Sequence, residues 1–448
     1  MQYVEVRRVK QQVVTIAGGG SSYTPGIIQA ILDNQNDFAV SEFRLYDIDA
    51  QRNDDMYTII KWMLNKQRFN IGLTQTNDPE VAFTGADFVF SQIRVGGIEM
   101  RKVDEKVPLK YGLVGQETCG LGGFSYGLRT IGPMIELVGF VQRYAPDAWI
   151  LNYTNPESIV AETIRRTYPK AKMLNACDMT ISIETTLCEN YGYDRKNWIQ
   201  TYYGLNHFGW YKSIFDTSLG RDVMPEILDK LKAAPLKEPE FHRGDKFWAE
   251  AYAMMSTIVT DFPDNIPNNY LEYYLYPDAV VEQSDIEFTR ADAVELGREK
   301  EIKETAQRIR ETGRNGELNH DFGAHGQYIV DMAVSILNNL HRRFMLIFPN
   351  MGAIPNLRQD AVVEVPAYVG ATGAEPISLR QPIPDMHKGM MEAQVAAEKL
   401  LVDAYFDHSY QKALEAFTLN QTFTSARKAK QVLDALIEAN GDYWPELR

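Results

Sequence analysis

Two dipeptides in this chain, Cys177-Asp178 and Asn206-His207, put a thiol and an imidazole directly after segments with strand character, Met173–Ala176 and Thr201–Leu205. In open α/β sheets ligands gather beyond the carboxyl ends of strands. A thiolate and a neutral imidazole there can hold a divalent ion and leave positions open for water and substrate. Two protein ligands are few, so substrate oxygens would have to complete the shell. Spacing alone favours a plainer alternative, a buried inert cysteine and a satisfied core histidine. A second constellation is Gly18-Gly19-Gly20-Ser21, between the β-branched run Val13–Ala17 and a helix opened by Thr24-Pro25, with Thr24 expected as N-cap. Glycines let the backbone approach a pyrophosphate, and the helix N-terminus favours its charge. Tyr23 stands where the third fingerprint glycine would be. Asp47 ends the next strand, Phe43–Tyr46, where a carboxylate can accept hydrogen bonds from ribose hydroxyls. A purely structural glycine turn is the alternative.

Other residue types suit chemistry with less support from pattern. Asn155 lies in Asn152-Tyr153-Thr154-Asn155-Pro156 after a strand, where it can meet a ligand hydroxyl or simply cap a helix. Gly115-Gln116-Glu117-Thr118-Cys119-Gly120-Leu121-Gly122-Gly123 reads as a loop close to a ligand, or as a merely flexible one. Tyr270 sits in an aromatic cluster, and most such clusters are core. Arg94, Arg101 and Arg290 are candidate anion clamps, because guanidinium grips phosphate bidentately.

The elements that must position these groups alternate. Strands are expected at Val13–Ala17, Phe43–Tyr46, Asp87–Ile93, Trp149–Tyr153, Met173–Ala176 and Thr201–Leu205, with helices at Thr130–Tyr144 and Glu157–Thr167 between them. Beyond residue 210 the pattern turns helix-rich: a charged helix over Arg290–Thr312, helices over Gly326–Asn339, Lys388–His408 and Ser425–Asn440, one strand over Val362–Val369, and an exposed excursion at Pro235–Asp245. The fold class is therefore α/β. A doubly wound, Rossmann-type N-terminal domain over 1–200 precedes a mixed, helix-rich domain over 201–448. A formal charge of −14 over 448 residues repels nucleic acid and anionic lipid. An anionic substrate would need a local basic pocket. Three cysteines, Cys119, Cys177 and Cys188, form no disulfide framework and fit a reducing compartment. Met1–Gln12 carries Arg7, Arg8 and Lys10 without an apolar run after them, and no stretch of about 18 apolar residues occurs. A cytoplasmic location with no membrane partner is the expectation.

Taken together, the chain resembles glycoside hydrolase family 4 over nearly its whole length. The resemblance rests on the glycine turn, Ile93-Arg94-Val95-Gly96, Gly115–Gly120, Asn152–Pro156, Cys177-Asp178-Met179, and Tyr203-Gly204-Leu205-Asn206-His207-Phe208-Gly209-Trp210. It is nearest to the branch acting on 6-phospho-α-glucosides such as maltose 6′-phosphate, whose members carry Asp after the metal cysteine where 6-phospho-β-glucosidases tend to carry Asn. Thr180 and Leu121 stand where that branch has proline. The resemblance implies NAD and Mn2+ as cofactors, Cys177 and His207 as metal ligands, and Gly18, Gly19, Gly20, Ser21 and Asp47 around the dinucleotide. It implies Arg101, Asn155 and Arg290 on the substrate, Tyr270 as general base and Asp178 as general acid. It also implies a route outside the two-carboxylate rule of glycosidases: oxidation at C3, loss of the C2 proton, elimination of the aglycone, and return of the hydride. Homodimers or homotetramers are expected by the same analogy. A 6-phospho-β-glucosidase of the family remains an alternative, as does a lactate/malate-type dehydrogenase, which would accumulate free NADH, or a non-catalytic NAD-sensing module.

Overall fold

The computed structural model describes residues 10–314 and 323–448, so Arg7 and Arg8 of the basic N-terminal segment lie outside the described residues. Among the described residues thirteen strands form one sheet: β1 (Gln12–Ala17), β2 (Val40–Tyr46), β3 (Gly72–Thr76), β4 (Phe88–Ser91), β5 (Trp149–Asn152), β6 (Met173–Asn175), β7 (Trp198–Leu205), β8 (Phe208–Asp216), β9 (Arg221–Asp222), β10 (Ile266–Pro267), β11 (Arg342–Pro349), β12 (Val362–Gly370) and β13 (Gly373–Pro376). The first six run parallel in the order β3-β2-β1-β4-β5-β6, the doubly wound arrangement expected from the alternating pattern. From β6 the sheet continues through antiparallel β11, β12, β7, β8 and β10.

The apolar runs are continuous because helices cover both faces of the parallel half. On β4, Phe88 and Phe90 join a cluster with helices Thr24–Asp33 and Gly323–Asn338, while Val89 joins one with helices Gly120–Tyr144 and Glu157–Thr167. Edge strand β3, Gly-Leu-Thr-Gln-Thr, has too little apolar character to be read from sequence.

Three expectations need correction. Tyr23, not Thr24, occupies the N-cap of helix Thr24–Asp33; the Thr24 hydroxyl instead donates to the Gly19 carbonyl at 2.9 Å, tying the helix start to the turn. The helix expected from Thr130 begins at Gly120, so Gly120–Gly123 are its first turn and not a loop. Low glycine propensity hid that turn. At Gly122 a Cβ would meet the Asp104 and Gln116 carbonyls at 2.3 and 2.4 Å, so glycine serves close packing there, not flexibility. The charged helix over Arg290–Thr312 breaks into Arg290–Val294, a π-helical turn Glu295–Glu299, and Lys300–Thr312.

Strands β7 and β8 form a hairpin whose two-residue connection is Asn206-His207. Gly204 faces Gly209 across it, and a Cβ on Gly204 would meet Gly209 Cα at 2.3 Å and the Phe208 carbonyl at 2.4 Å. Both obstacles are backbone and cannot rotate away. Gly204→Ala should therefore destabilise the protein by about 1–3 kcal/mol. Chemical denaturation checks this, and an unshifted midpoint would show that the hairpin has slack.

Candidate active site

Every parallel strand except the edge strand β3 and each loop after it delivers a residue to one cleft of about 1300 Å3 at the carboxyl end of the sheet. Gly18 follows β1, Asp47 follows β2, Arg94 follows β4, Asn155 follows β5, and Cys177 with Asp178 follows β6. His207 and Tyr270 arrive from the antiparallel half, Arg101 and Arg290 from helices Gly97–Lys110 and Arg290–Val294. Of the thirteen candidate residues named from sequence, Gly18, Ser21, Asp47, Arg94, Arg101, Asn155, Cys177, Asp178, His207, Tyr270 and Arg290 line the cleft, whereas Gly19 and Gly20 do not. Those two face inward, where a Cβ would strike Leu45 or Arg52 at 2.8 Å. Gly18 holds φ +83°, a conformation that only glycine adopts freely, and a Cβ there would meet the Gln92 carbonyl oxygen at 2.8 Å. Asp47 Oδ2 accepts the Gly20 N–H at 2.8 Å and Oδ1 the Asp49 N–H at 2.9 Å, so the carboxylate braces the turn as well as facing the cleft.

The thiol and imidazole are in contact: Cys177 Sγ lies 3.3 Å from His207 Nε2. Metal–sulfur and metal–nitrogen bonds of about 2.3 and 2.0 Å would place two donors of one coordination shell at roughly this separation. The other ring nitrogen, Nδ1, lies 3.1 Å from Thr118 Oγ1. The Thr118 hydroxyl proton is directed to Gln116 Oε1 at 3.0 Å, which also accepts the Thr118 and Cys119 N–H groups at 2.6 Å each. Thr118 Oγ1 is thus left to accept from Nδ1–H, and that tautomer turns the Nε2 lone pair toward the sulfur, as a metal-ligating histidine requires. Burial lowers the His207 pKa to about 4, keeping it neutral, and raises that of Cys177 to about 12, so a bound cation would have to displace the thiol proton. His207 pays for its place at the hairpin tip with φ +60°, unfavourable for a non-glycine residue. No group of three or more His, Cys, Asp or Glu side chains suited to a metal occurs among the described residues, so the donor set fits an ion that shares its shell with ligand oxygens.

The Tyr270 ring meets His207 edge-on at 4.6 Å and lies parallel to Trp248 at 6.1 Å. Its backbone N–H is held by Asn268 Oδ1 at 3.0 Å. Burial drives its pKa well above the usual tyrosine range, and the charges of Cys119, Glu117 and Cys177 push the same way against Arg101. A cation at the Cys177–His207 pair would add to Arg101 in favouring its phenolate. Asp178 is the N-cap residue of helix Met179–Tyr191 and faces the cleft half-buried. Asn155 Oδ1 is buried there without a hydrogen-bond partner among the described residues. Arg101 is buried between Glu105 at 2.8 Å and Glu117 at 3.1 Å, Arg94 also pairs with Glu117, and Arg290 pairs with Asp245. Burial alone would raise the Glu117 pKa, but Arg101 and Arg94 hold it down to about 2. Sequence reasoning noticed the Gly115–Gly123 segment yet gave Gln116, Glu117 and Thr118 no individual roles, since only the folded loop brings them to His207 and the arginines.

Thr118→Val preserves shape and removes the acceptor for Nδ1–H. Loss of such a supporting contact typically costs about 10–100-fold in metal affinity. Calorimetric titration of a divalent cation should show that weakening with the fold intact; unchanged affinity would mean that Thr118 does not set the tautomer.

Comparison with known proteins agrees with this geometry. Residues 13–192 match the model of family 4 glycosyl hydrolases, and residues 202–423 that of the family 4 glycosyl hydrolase C-terminal domain. The chain is 44% identical to the maltose-6′-phosphate glucosidase MalH of Clostridium acetobutylicum, across 98% of this chain and 100% of that one. It is 43% identical to a maltose-6′-phosphate glucosidase of Bacillus subtilis, across 97% of each. Among solved structures, a 6-phospho-α-glucosidase from gut microorganisms in complex with NAD and Mn2+ superposes with a TM-score of 0.95 at 40% identity, covering 98% of this chain and 100% of that one. With full-length identity of this order and both family models matched, the chain belongs to glycosyl hydrolase family 4 and is a glycosidase.

Proposed function

We propose that the protein hydrolyses 6-phospho-α-glucosides, such as maltose 6′-phosphate, with the help of NAD+ and a divalent cation, Mn2+ first among them, by way of oxidation at C3 of the glycone. The observation that carries this reading is the contact of Cys177 Sγ with His207 Nε2 beside the Tyr270 ring, in a cleft that opens onto the Gly18–Tyr23 turn. The names of the relatives support the substrate class, and the gut-microorganism structures, one with NAD and Mn2+ and another with NAD and glucose 6-phosphate, support the cofactors and the sugar.

Cys177 and His207 would hold the cation; Gly18, Ser21 and Asp47 would face the dinucleotide at the start of helix Thr24–Asp33. When bound, NAD+ would supply a hydride acceptor and the cation a Lewis acid, which together make the C2–H of the glycone acidic. The Tyr270 oxygen takes the C2 proton. Its rigid seat between His207 and Trp248 fixes where that oxygen sits. Asp178 delivers a proton to the departing glycosidic oxygen from the N-cap of helix Met179–Tyr191. Asn155 orients sugar hydroxyls through its unpartnered Oδ1, and Arg101 and Arg290 bind the anionic end of the substrate against the net charge of −14.

Chromogenic 6-phospho-α- and 6-phospho-β-glucosides, assayed with NAD+ and Mn2+ each present or omitted, test the reading. Turnover should require both additions and favour the α-linked compound; turnover without either addition would overturn it, and free NADH in step with substrate loss would favour a dehydrogenase. Tyr270→Phe should lower turnover by about 10²–10⁴-fold. It should also stop exchange of the C2 hydrogen with solvent deuterium, and undiminished exchange would remove Tyr270 as the base.

A further inference from the structure

Outside the catalytic cleft the sheet leaves a second cavity, of about 140 Å3. Its origin is a mismatch of strand lengths. β6 stops at Asn175, opposite Ile347, so the first half of β11 has no strand beside it on that side. The Tyr328 hydroxyl takes over at Met345, accepting its N–H at 2.8 Å and donating to its carbonyl at 2.9 Å. The rest of the gap lies between Arg342–Met345, helix Met179–Tyr191 and helix Gly323–Asn338, with Arg195 and Gln200 of β7 at its sides. Ile181 lines both this cavity and the catalytic cleft, so helix Met179–Tyr191 is the wall between them.

The lining is charged where a mere packing void would be apolar. Glu184 forms the floor: it is 1% exposed, and both its carboxyl oxygens are buried without a hydrogen-bond partner among the described residues. Arg195 stands off at 3.7 Å. Arg343 donates to the Gln200 carbonyl, but its Nε is buried with no partner, and it has no ion pair, among the described residues. Arg342 lies 3.6 Å from Asp331, and these two and Arg195 are partly exposed at the mouth. Three guanidiniums of the lining thus meet two carboxyl groups, a positive excess in a chain of charge −14. Buried polar groups left without partners call for an occupant. At ~30 Å3 per water, the space suits one small polyatomic ion with water beside it.

We propose that this cavity binds a small tetrahedral oxyanion, inorganic phosphate or sulfate, held by the guanidiniums of Arg195, Arg342 and Arg343 while the protonated Glu184 carboxyl donates to it. Arginine suits the task, since its planar fork meets two oxygens of such an ion at once. The same three charges disfavour a metal cation. Burial explains the acid on the floor, pushing the Glu184 carboxyl up to about 7 against the pull of Arg195. Around that carboxyl stand Arg195 and Cys188 from its own helix and the turn after it, Arg342 and Arg343 from β11, Tyr211 from β8, and Tyr328 and Asp331 from helix Gly323–Asn338. Burial keeps Cys188, Tyr211 and Tyr328 protonated, so it is Glu184 whose charge changes near neutrality. On the acid side of its titration Glu184 donates to the ion; on the alkaline side its charge repels the ion.

Calorimetric titration of the full chain with sulfate, which keeps both its charges across the neutral range, tests the assignment. A saturable site should appear whose affinity falls as pH rises through about 7. Arg343→Gln should weaken it by about 10- to 100-fold, the worth of a hydrogen bond between charged groups. Arg195→Gln, at the exposed mouth, should weaken it too, and it carries the test if Arg343→Gln does not fold. Glu184→Gln keeps a donor and removes the acid, so it should abolish the pH dependence and retain the affinity seen on the acid side. Phosphate should displace the bound sulfate. Absence of a saturable site in the wild type, equal affinity in the wild type and both arginine variants, an unaltered pH dependence in Glu184→Gln, or sulfate that phosphate fails to displace would each overturn the proposal. So would a site lost in Arg101→Gln and kept in Arg343→Gln, which would put the ion in the catalytic cleft.

Discussion

Everything in the site depends on one line of contacts, from Gln116 through Thr118 and His207 to Cys177. Gln116 takes the threonine proton, the threonine oxygen takes the Nδ1 proton, and the remaining imidazole lone pair faces the sulfur. Each link is a local decision, and together they fix a tautomer that a histidine alone would leave free. The cost is visible in the backbone, where His207 is left-handed at a hairpin tip that glycine or asparagine would fill with less strain.

Electrostatics shape the rest of the cleft. Burial alone would keep the Cys177 thiol and the Tyr270 phenol protonated. A divalent cation between Cys177 and His207 would reverse both tendencies at once, coupling metal binding to the chemistry of the base. Around that point Arg52, Arg94, Arg101 and Arg290 stay cationic, with their charge compensated by Glu299, Glu117 and Asp245.

Sequence told most where local pattern and fold agree. The alternation of β-branched runs and helices predicted the parallel half, because strands buried on both faces must be apolar throughout. The residues after β1, β2, β5 and β6 could be named in advance for the same reason: strand ends in such a sheet point at one cleft. The Cys177 and His207 pairing did not follow from spacing, since thirty residues and a change of strand direction lie between them, and only the family resemblance raised it. The roles of Thr118 and Glu117 were not legible at all. Those roles come from tertiary contacts of a folded-back loop that carries no periodic signal. Gly120–Gly123 misled in the opposite sense, since glycines that permit close helix packing have the composition of a flexible loop.

The most direct measurement is a cobalt titration of protein freed of divalent ions. Binding of Co2+ through the Cys177 thiolate should produce a near-ultraviolet sulfur-to-cobalt charge-transfer band that rises to a stoichiometric end point and is absent from Cys177→Ser. A band of equal strength in that variant, or cobalt binding by the wild type without any band, would contradict a cation held by Cys177 and His207.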